Sequence, residues 1–135
     1  TSWRIRMSSE ASFDKTQTIA MVAGEASGDL LASGLLAHLQ ALHWPIQVEG
    51  VAGPKMMAQG MQALHSADRL AVRGYWEVLK HYRALVGMRN GLIERWSQQR
   101  PSVFIGVDAP DFNLHLALRL RQQGVQTVKY VCPAV

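Results

Sequence analysis

Acids and glycines gathered in two short stretches are the residues of this chain best suited to chemistry. Gly24-Glu25-Ala26-Ser27-Gly28-Asp29 follows directly on the apolar run Thr18–Ala23. Gly106-Val107-Asp108-Ala109-Pro110-Asp111-Phe112-Asn113 grows in the same way out of the apolar run Val103–Val107. In the first stretch glycines permit tight turns, Ser27 suits a helix cap, and helix-start amides hold an anion or a sugar hydroxyl. Glu25 adds a carboxylate of the kind that binds sugar hydroxyls. In the second, Asp108 stands at the mouth of a buried strand with Asp111 beside it, a setting for a general base, and Pro110 stiffens the loop that carries it. Each stretch has a plainer alternative. The first is also a capped strand-to-helix turn with two solvated acids. In the second, Asp111 also suits a helix cap with Asp108 in the turn before it. Rim position favours a functional role for Asp108 and the capping role for Asp111.

Other chemistry is poorly supported. The glycine spacing around Glu25 is wrong for a dinucleotide fingerprint, and no Gly-Lys-Ser/Thr follows to make a P-loop. There is no Gly-x-Ser-x-Gly elbow. The histidines, at 38, 43, 65, 81 and 115, lack metal-ligand spacing, so no metal site is expected. The single cysteine, Cys132, excludes a disulfide framework and reads as structural.

The two stretches need a scaffold that brings strand ends together. Strands are expected at Thr18–Ala23, Val48–Ala52, weakly at Gln62–His65, at Val103–Val107 and at Val125–Val131. Leu31, Leu35, Leu39 and Leu42 mark a helix that Pro45 ends, and Gly53–Pro54 opens a short one. A long helical stretch runs from Tyr75 to about Gln99, broken near Gly87 to Gly91, and another covers Phe112 to Gln123 before Gly124. Strands alternating with helices across short turns predict an α/β fold with a doubly wound parallel sheet. In such folds the ligand lies beyond the carboxyl ends of the strands, so both acidic loops face one rim.

At 135 residues, 48% hydrophobic and 18% charged, the chain suits one domain with a real core rather than a disordered segment. Its net charge of +4 is concentrated between Arg69 and Arg100, where seven basic residues face two acids. Within that segment Trp76, Val78, Leu79, Tyr82, Leu85 and Val86 form a wide apolar arc bordered by cations. Such an arc suits a helix lying on an anionic membrane surface, although the pattern alone favours a core-facing helix with solvated Arg and Lys. Nucleic acid is not expected as a partner, because no recognition motif accompanies the charge. No stretch is apolar and long enough for a transmembrane span, and residues 1–16 read as a leader or tag remnant ahead of a domain at 17–135.

Ile19–Leu31 (IAMVAGEASGDLL), Gly50–Met56 (GVAGPKM), Leu70–Gly74 (LAVRG) and Phe104–Asn113 (FIGVDAPDFN) resemble, in order and spacing, the amino-terminal part of the lipid-A-disaccharide synthase family. The chain departs from that pattern at Arg73 and at Cys132-Pro133-Ala134. The resemblance implies the Rossmann-like, acceptor-side domain of a GT-B type glycosyltransferase whose second, UDP-sugar-binding domain lies outside this chain. It implies an inverting transfer of diacylglucosamine from its UDP donor to the 6-hydroxyl of diacylglucosamine 1-phosphate, without a cofactor. The products are the β-1,6-linked lipid A disaccharide 1-phosphate and UDP. Carried onto this sequence, Asp108 becomes the general base, and Glu25, Ser27, Gly28, Asp29, Asp111 and Asn113 line the acceptor side. The implied location is cytoplasmic, peripheral on the inner face of the inner membrane, with the chain inactive alone. A non-catalytic module binding a membrane surface or a sugar phosphate is the alternative.

Overall fold

The structure, a computed structural model, describes residues 16–67 and 75–130; for 75–81, 110 and 111 it describes the backbone only. The elements alternate throughout: β1 (Gln17–Val22), α1 (Ala26–Ala41), β2 (Ile46–Ala52), α2 (Pro54–Ala58), β3 (Gln62–Ser66), α3 (Tyr75–Gln98), β4 (Val103–Gly106), α4 (Pro110–Gln122) and β5 (Gln126–Lys129). All strand pairings are parallel, in the order β3-β2-β1-β4-β5. Successive connections therefore build outward from β1 in one direction and then, through α3, cross to its other side.

Strand periodicity of two splits the sheet into two cores. Ala20, Val22, Val51 and Phe104 face one side, where Met88, Leu92, Ile93 and Trp96 of α3 and Leu116 and Leu120 of α4 cover them. Ile19, Met21, Val48, Ile105 and Val107 face the other side, against Ala32 and Leu36 of α1 and Met56 of α2. With both faces covered, β1 and β4 read as continuous apolar runs, as parallel strands do. Trp96 and Phe104 meet with ring centroids 5.9 Å apart at 50°, joining α3 to β4. At Gly50 the backbone has φ +147°, and a Cβ would stand 2.0 Å from the Met21 carbonyl oxygen. Only glycine lets β2 lie this close to β1.

The doubly wound parallel sheet expected from the sequence is present, with adjustments at element ends. The helix expected to break near Gly87 to Gly91 runs unbroken from Tyr75 to Gln98. Leu85, Met88, Leu92, Ile93 and Trp96 all pack on the same core, and burying each large side chain contributes about 1.5–3 kcal/mol. That exceeds the roughly 1 kcal/mol by which each helical glycine weakens the element. A Cβ at Gly87 or Gly91 would meet nothing within 4 Å. Gly87→Ala and Gly91→Ala are each expected to raise the stability of the chain by about 0.5–1 kcal/mol, measured by urea unfolding. A lower midpoint in either variant would show that α3 needs glycine flexibility.

Leu42, counted in the apolar stripe of α1, is 49% exposed at the C-cap of the helix, one residue before His43 turns the chain away with φ 55°. The fourth helix starts at Pro110 rather than Phe112, with proline in its tolerated place at the first turn. β5 covers Gln126–Lys129; Val125 is buried in the turn before it, and Val131 falls outside the described residues, as do Cys132 and residues 1–15 of the stretch 1–16 expected as a leader or tag remnant.

Candidate active site

β1 and β4 lie side by side at the centre of the sheet, where the strand order reverses. Loops leaving such a pair diverge to opposite faces and open a crevice, which is where open α/β sheets bind ligands. The two acidic loops are these two loops, and they are locked together. The Asp108 carboxylate at the end of β4 accepts the backbone N–H of Gly24 on one oxygen and that of Glu25, at 2.8 Å, on the other. It thereby satisfies amides at the start of α1, where Glu25 occupies the cap position without using its own side chain. Helix-end dipoles favour an anion at this place.

Gly28, buried one turn into α1, makes the close approach feasible. A Cβ there would lie 2.0 Å from an Asp108 carboxylate oxygen and 2.6 Å from Cγ. Gly28→Ala is therefore expected to push the carboxylate off its two amides and to destabilise the chain by about 1–3 kcal/mol. Thermal unfolding measures the loss, and an unchanged midpoint would mean that the loops yield without cost.

The other wall is equally specific. Ala109 takes up a left-handed conformation, φ 50° and ψ 64°, at the cap of α4. Such a conformation in a non-glycine residue stores strain and is found preferentially at functional loops. One turn on, the buried Asn113 donates its Nδ2 to the Asp108 carbonyl and, more weakly at 3.4 Å, to the Val22 carbonyl. It ties the ends of β1 and β4 together. Gly106 leaves it room, since a Cβ there would approach Asn113 to 3.1 Å.

Of the residues singled out from the sequence, Glu25, Gly28, Asp108 and Asn113 thus come together. Ser27, expected to cap α1, is instead its second residue, exposed on the same rim. Asp111, expected to cap α4, lies within its first turn after the cap residue Ala109, and its side chain is outside the described set. Asp29 is placed differently. It is 4% exposed and directs both carboxylate oxygens at backbone amides of α2, Lys55 at 3.0 Å and Met56 at 2.8 Å. In the proposed membrane arc, Tyr82 is 62% exposed while Leu85 packs against the core and Val86 is half-buried. The side chains of Trp76, Val78 and Leu79 fall outside the described residues. No described helix is long and apolar enough to cross a membrane.

Sequence reasoning passed over Gly24 as an amide donor and Gly53 as the seat of Asp29. The signal available for Gly53 was a short helix starting at Pro54 whose first amides needed an acceptor from elsewhere.

A recess of about 300 Å³ opens beside Asp108, between β4, β5 and α4. Phe104, Leu114 and Leu118 give it apolar walls, and Arg121 and Lys129 add positive charge. A roomier recess of about 430 Å³ lies elsewhere, around His43, Trp44 and Gln62, and holds none of the acidic-loop residues. Chemistry rather than volume makes the first the candidate site. Carboxylates have about four acceptor directions, so the Asp108 carboxylate keeps capacity beyond its two amides to take a proton from a bound hydroxyl.

The residues building this clamp lie in a stretch with known relatives. Residues 19–135 match the family model described as lipid-A-disaccharide synthetase. The chain belongs to the lipid-A-disaccharide synthetase family. It is 53% identical over 118 residues to the lipid-A-disaccharide synthase of Dechloromonas aromatica (strain RCB), which covers 87% of this chain and 31% of that protein. The enzyme of the same name from Pseudomonas putida (strain W619) is 51% identical over 117 residues, with the same coverage. The chain thus spans about a third of the length of these relatives. Among solved structures, the glycotransferase of kitacinnamycin superposes with a TM-score of 0.61 at 18% identity, over 87% of this chain and 31% of that one. That likeness shows the fold, and the Rossmann-like architecture expected for a GT-B type domain is borne out.

Proposed function

We propose that this chain forms the acceptor side of a lipid-A-disaccharide synthase, an inverting glycosyltransferase, with Asp108 as general base. The observation that carries the reading is the clamp at the switch point, where one carboxylate is fixed by two amides, Gly24 and Glu25, and stands against Gly28. A base held in one direction is what deprotonation of a hydroxyl needs, because proton transfer demands hydrogen-bond distance. In the proposed reaction the 6-hydroxyl oxygen of diacylglucosamine 1-phosphate attacks the anomeric carbon of UDP-diacylglucosamine. The glycosidic bond to UDP breaks as the new β-1,6 bond forms. Asp108 receives the hydroxyl proton, and UDP leaves with the electron pair.

Glu25 and Ser27, exposed on the rim, are proposed to meet the hydroxyls of the acceptor sugar, and Asp111 to lie on the same side. The region of the relatives that this chain does not span is proposed to bring the UDP-sugar. Location on the cytoplasmic face of the inner membrane, through the basic segment Arg69–Arg100, belongs to the same reading. Acylated substrates partition into such a surface, and cations near it are each worth about 1 kcal/mol of attraction to anionic lipid.

The test is UDP release by a family-length enzyme that carries these residues. Release with diacylglucosamine 1-phosphate, and none with its 6-deoxy analogue, is expected. Equal release with both acceptors would remove the proposed transfer to the 6-hydroxyl.

A further inference from the structure

We propose that Asp29 is a positioning residue, which sets the place of the Asp108 carboxylate through the first turn of α1. The proposal rests on the reading of Asp108 as the base. Asp29 is neighbour to Gly28, whose Cα stands directly against the Asp108 carboxylate. Its own amide donates to the Glu25 carbonyl at 2.9 Å, closing the turn whose leading amides Asp108 grips. The Asp29 side chain reaches the opposite way, into the amides of Lys55 and Met56 after β2. There it is packed so tightly that a Cβ on Gly53 would lie 2.4 Å from its Cγ.

The first turn of α1 is consequently held from two sides by two carboxylates. Asp108 pulls it towards β4, and Asp29 anchors it to α2 beyond β2. Rotation or retreat of that turn would carry Gly28 into the Asp108 carboxylate or draw the Gly24 and Glu25 amides away. The identity of the anchor supports this assignment. Gly53, at the cap position of α2, offers no side-chain acceptor to the amides that follow. The acceptor comes instead as a buried charge from 26 residues earlier, and buried charge is tolerated only with full hydrogen bonding. What the arrangement gains over a local cap is a rigid link between the β2 loop and the base.

Two substitutions disturb the link from its two ends. Asp29→Asn keeps the shape but leaves one acceptor oxygen for two amides, and Gly53→Ala pushes on Asp29 from α2. Amide signals of Gly24 and Glu25 in nitrogen–proton NMR spectra of this chain report the Asp108 contact, and the Trp96 indole signal reports a distant part of the core. Both variants are expected to shift the Gly24 and Glu25 signals while leaving that of Trp96 in place. In the family-length enzyme, Asp29→Asn is expected to lower kcat by about 10- to 100-fold with KM within about twofold, as small misplacements of a reacting group do. A cap that served stability alone would lower the unfolding midpoint and leave those two amides and kcat unmoved, which would overturn the proposal. Should Asp29→Asn not fold, Gly53→Ala carries the same readouts. Full turnover in Asp108→Asn would remove the base reading, whereas unmoved Gly24 and Glu25 signals in folded variants would remove the Asp29 link.

Discussion

Asp108→Asn in a family-length enzyme is expected to lower kcat by about two to four orders of magnitude, the usual worth of a positioned general base. Asparagine fills the same space but carries no lone-pair anion able to take the proton. It also turns an N–H towards one of the two amides, Gly24 or Glu25, that now donate to a carboxylate oxygen. One of those donors loses its acceptor, at about 1–3 kcal/mol if it stays dry. Two losses are therefore superimposed, and temperature separates them. A chemical defect persists at 10 °C, where the variant is folded, whereas a defect from unfolding recovers. The pattern of constants is informative too: if the acceptor is bound by Glu25 and Ser27 as proposed, KM should move little while kcat falls. Turnover within about twofold of the unsubstituted enzyme, with the variant folded, would exclude Asp108 as the base.

The readable and unreadable parts of this site differ in how far their causes lie apart along the chain. Val103–Val107 is a buried strand on its composition alone, and an acid directly after it must emerge at a strand end. The position of Asp108 on the rim follows from local sequence. That Asp108 grips Gly24 and Glu25 does not, because those partners are 84 and 83 residues away. Asp29 looked like a rim acid because it stands in the Gly24–Asp29 loop. Its amide partners arise in a helix that begins 25 residues later, and helical rotation of about 100° per residue turned it inward where Ser27 points out. The unbroken α3 carries the same lesson for glycine. Local propensity argues for a break at Gly87 to Gly91, and the long-range packing of Met88, Leu92 and Trp96 overrides it.

Glu49 is the clearest case of chemistry hidden by distance, and it yields the second large effect. In the sequence it is one acid inside an apolar strand. In the fold it is 5% exposed on the core face that α3 covers, accepting Arg95 Nε at 2.6 Å, Arg95 Nη2 at 3.1 Å and the Trp96 indole N–H at 2.9 Å. The Arg95 hydrogen bonds hold the Glu49 carboxyl below the usual carboxylate value; burial opposes this, and the Trp96 N–H and the Arg95 charge reinforce it. The Arg95 guanidinium is raised in turn, chiefly by its bonds to Glu49. Glu49 is the buried member of the pair, while the Arg95 side chain is 36% exposed, so removing Glu49 leaves chiefly the Trp96 N–H without an acceptor. Glu49→Ala is expected to destabilise the chain by about 2–5 kcal/mol, since it orphans the buried Trp96 N–H and opens a cavity under α3. Glu49→Gln keeps one acceptor and lets the partly exposed Arg95 turn to water, so its cost is expected to be smaller, about 1–3 kcal/mol.

The sign of the pH dependence follows from the depressed folded-state value. Between the two values the unfolded chain binds the proton and the folded one does not, so Glu49 stabilises the fold fully above the ordinary carboxylate range. That contribution fades as pH falls through this range towards the lower folded value. Urea unfolding of the parent chain from pH 7 downward should therefore show a loss of stability below about pH 5 that is shallower in Glu49→Gln. Parallel curves for the two proteins would mean that Glu49 titrates alike in the folded and unfolded chains. The Arg95 bonds would then act as surface contacts, and α3 would be held to the sheet by Trp96, Leu92 and Met88 without electrostatic help.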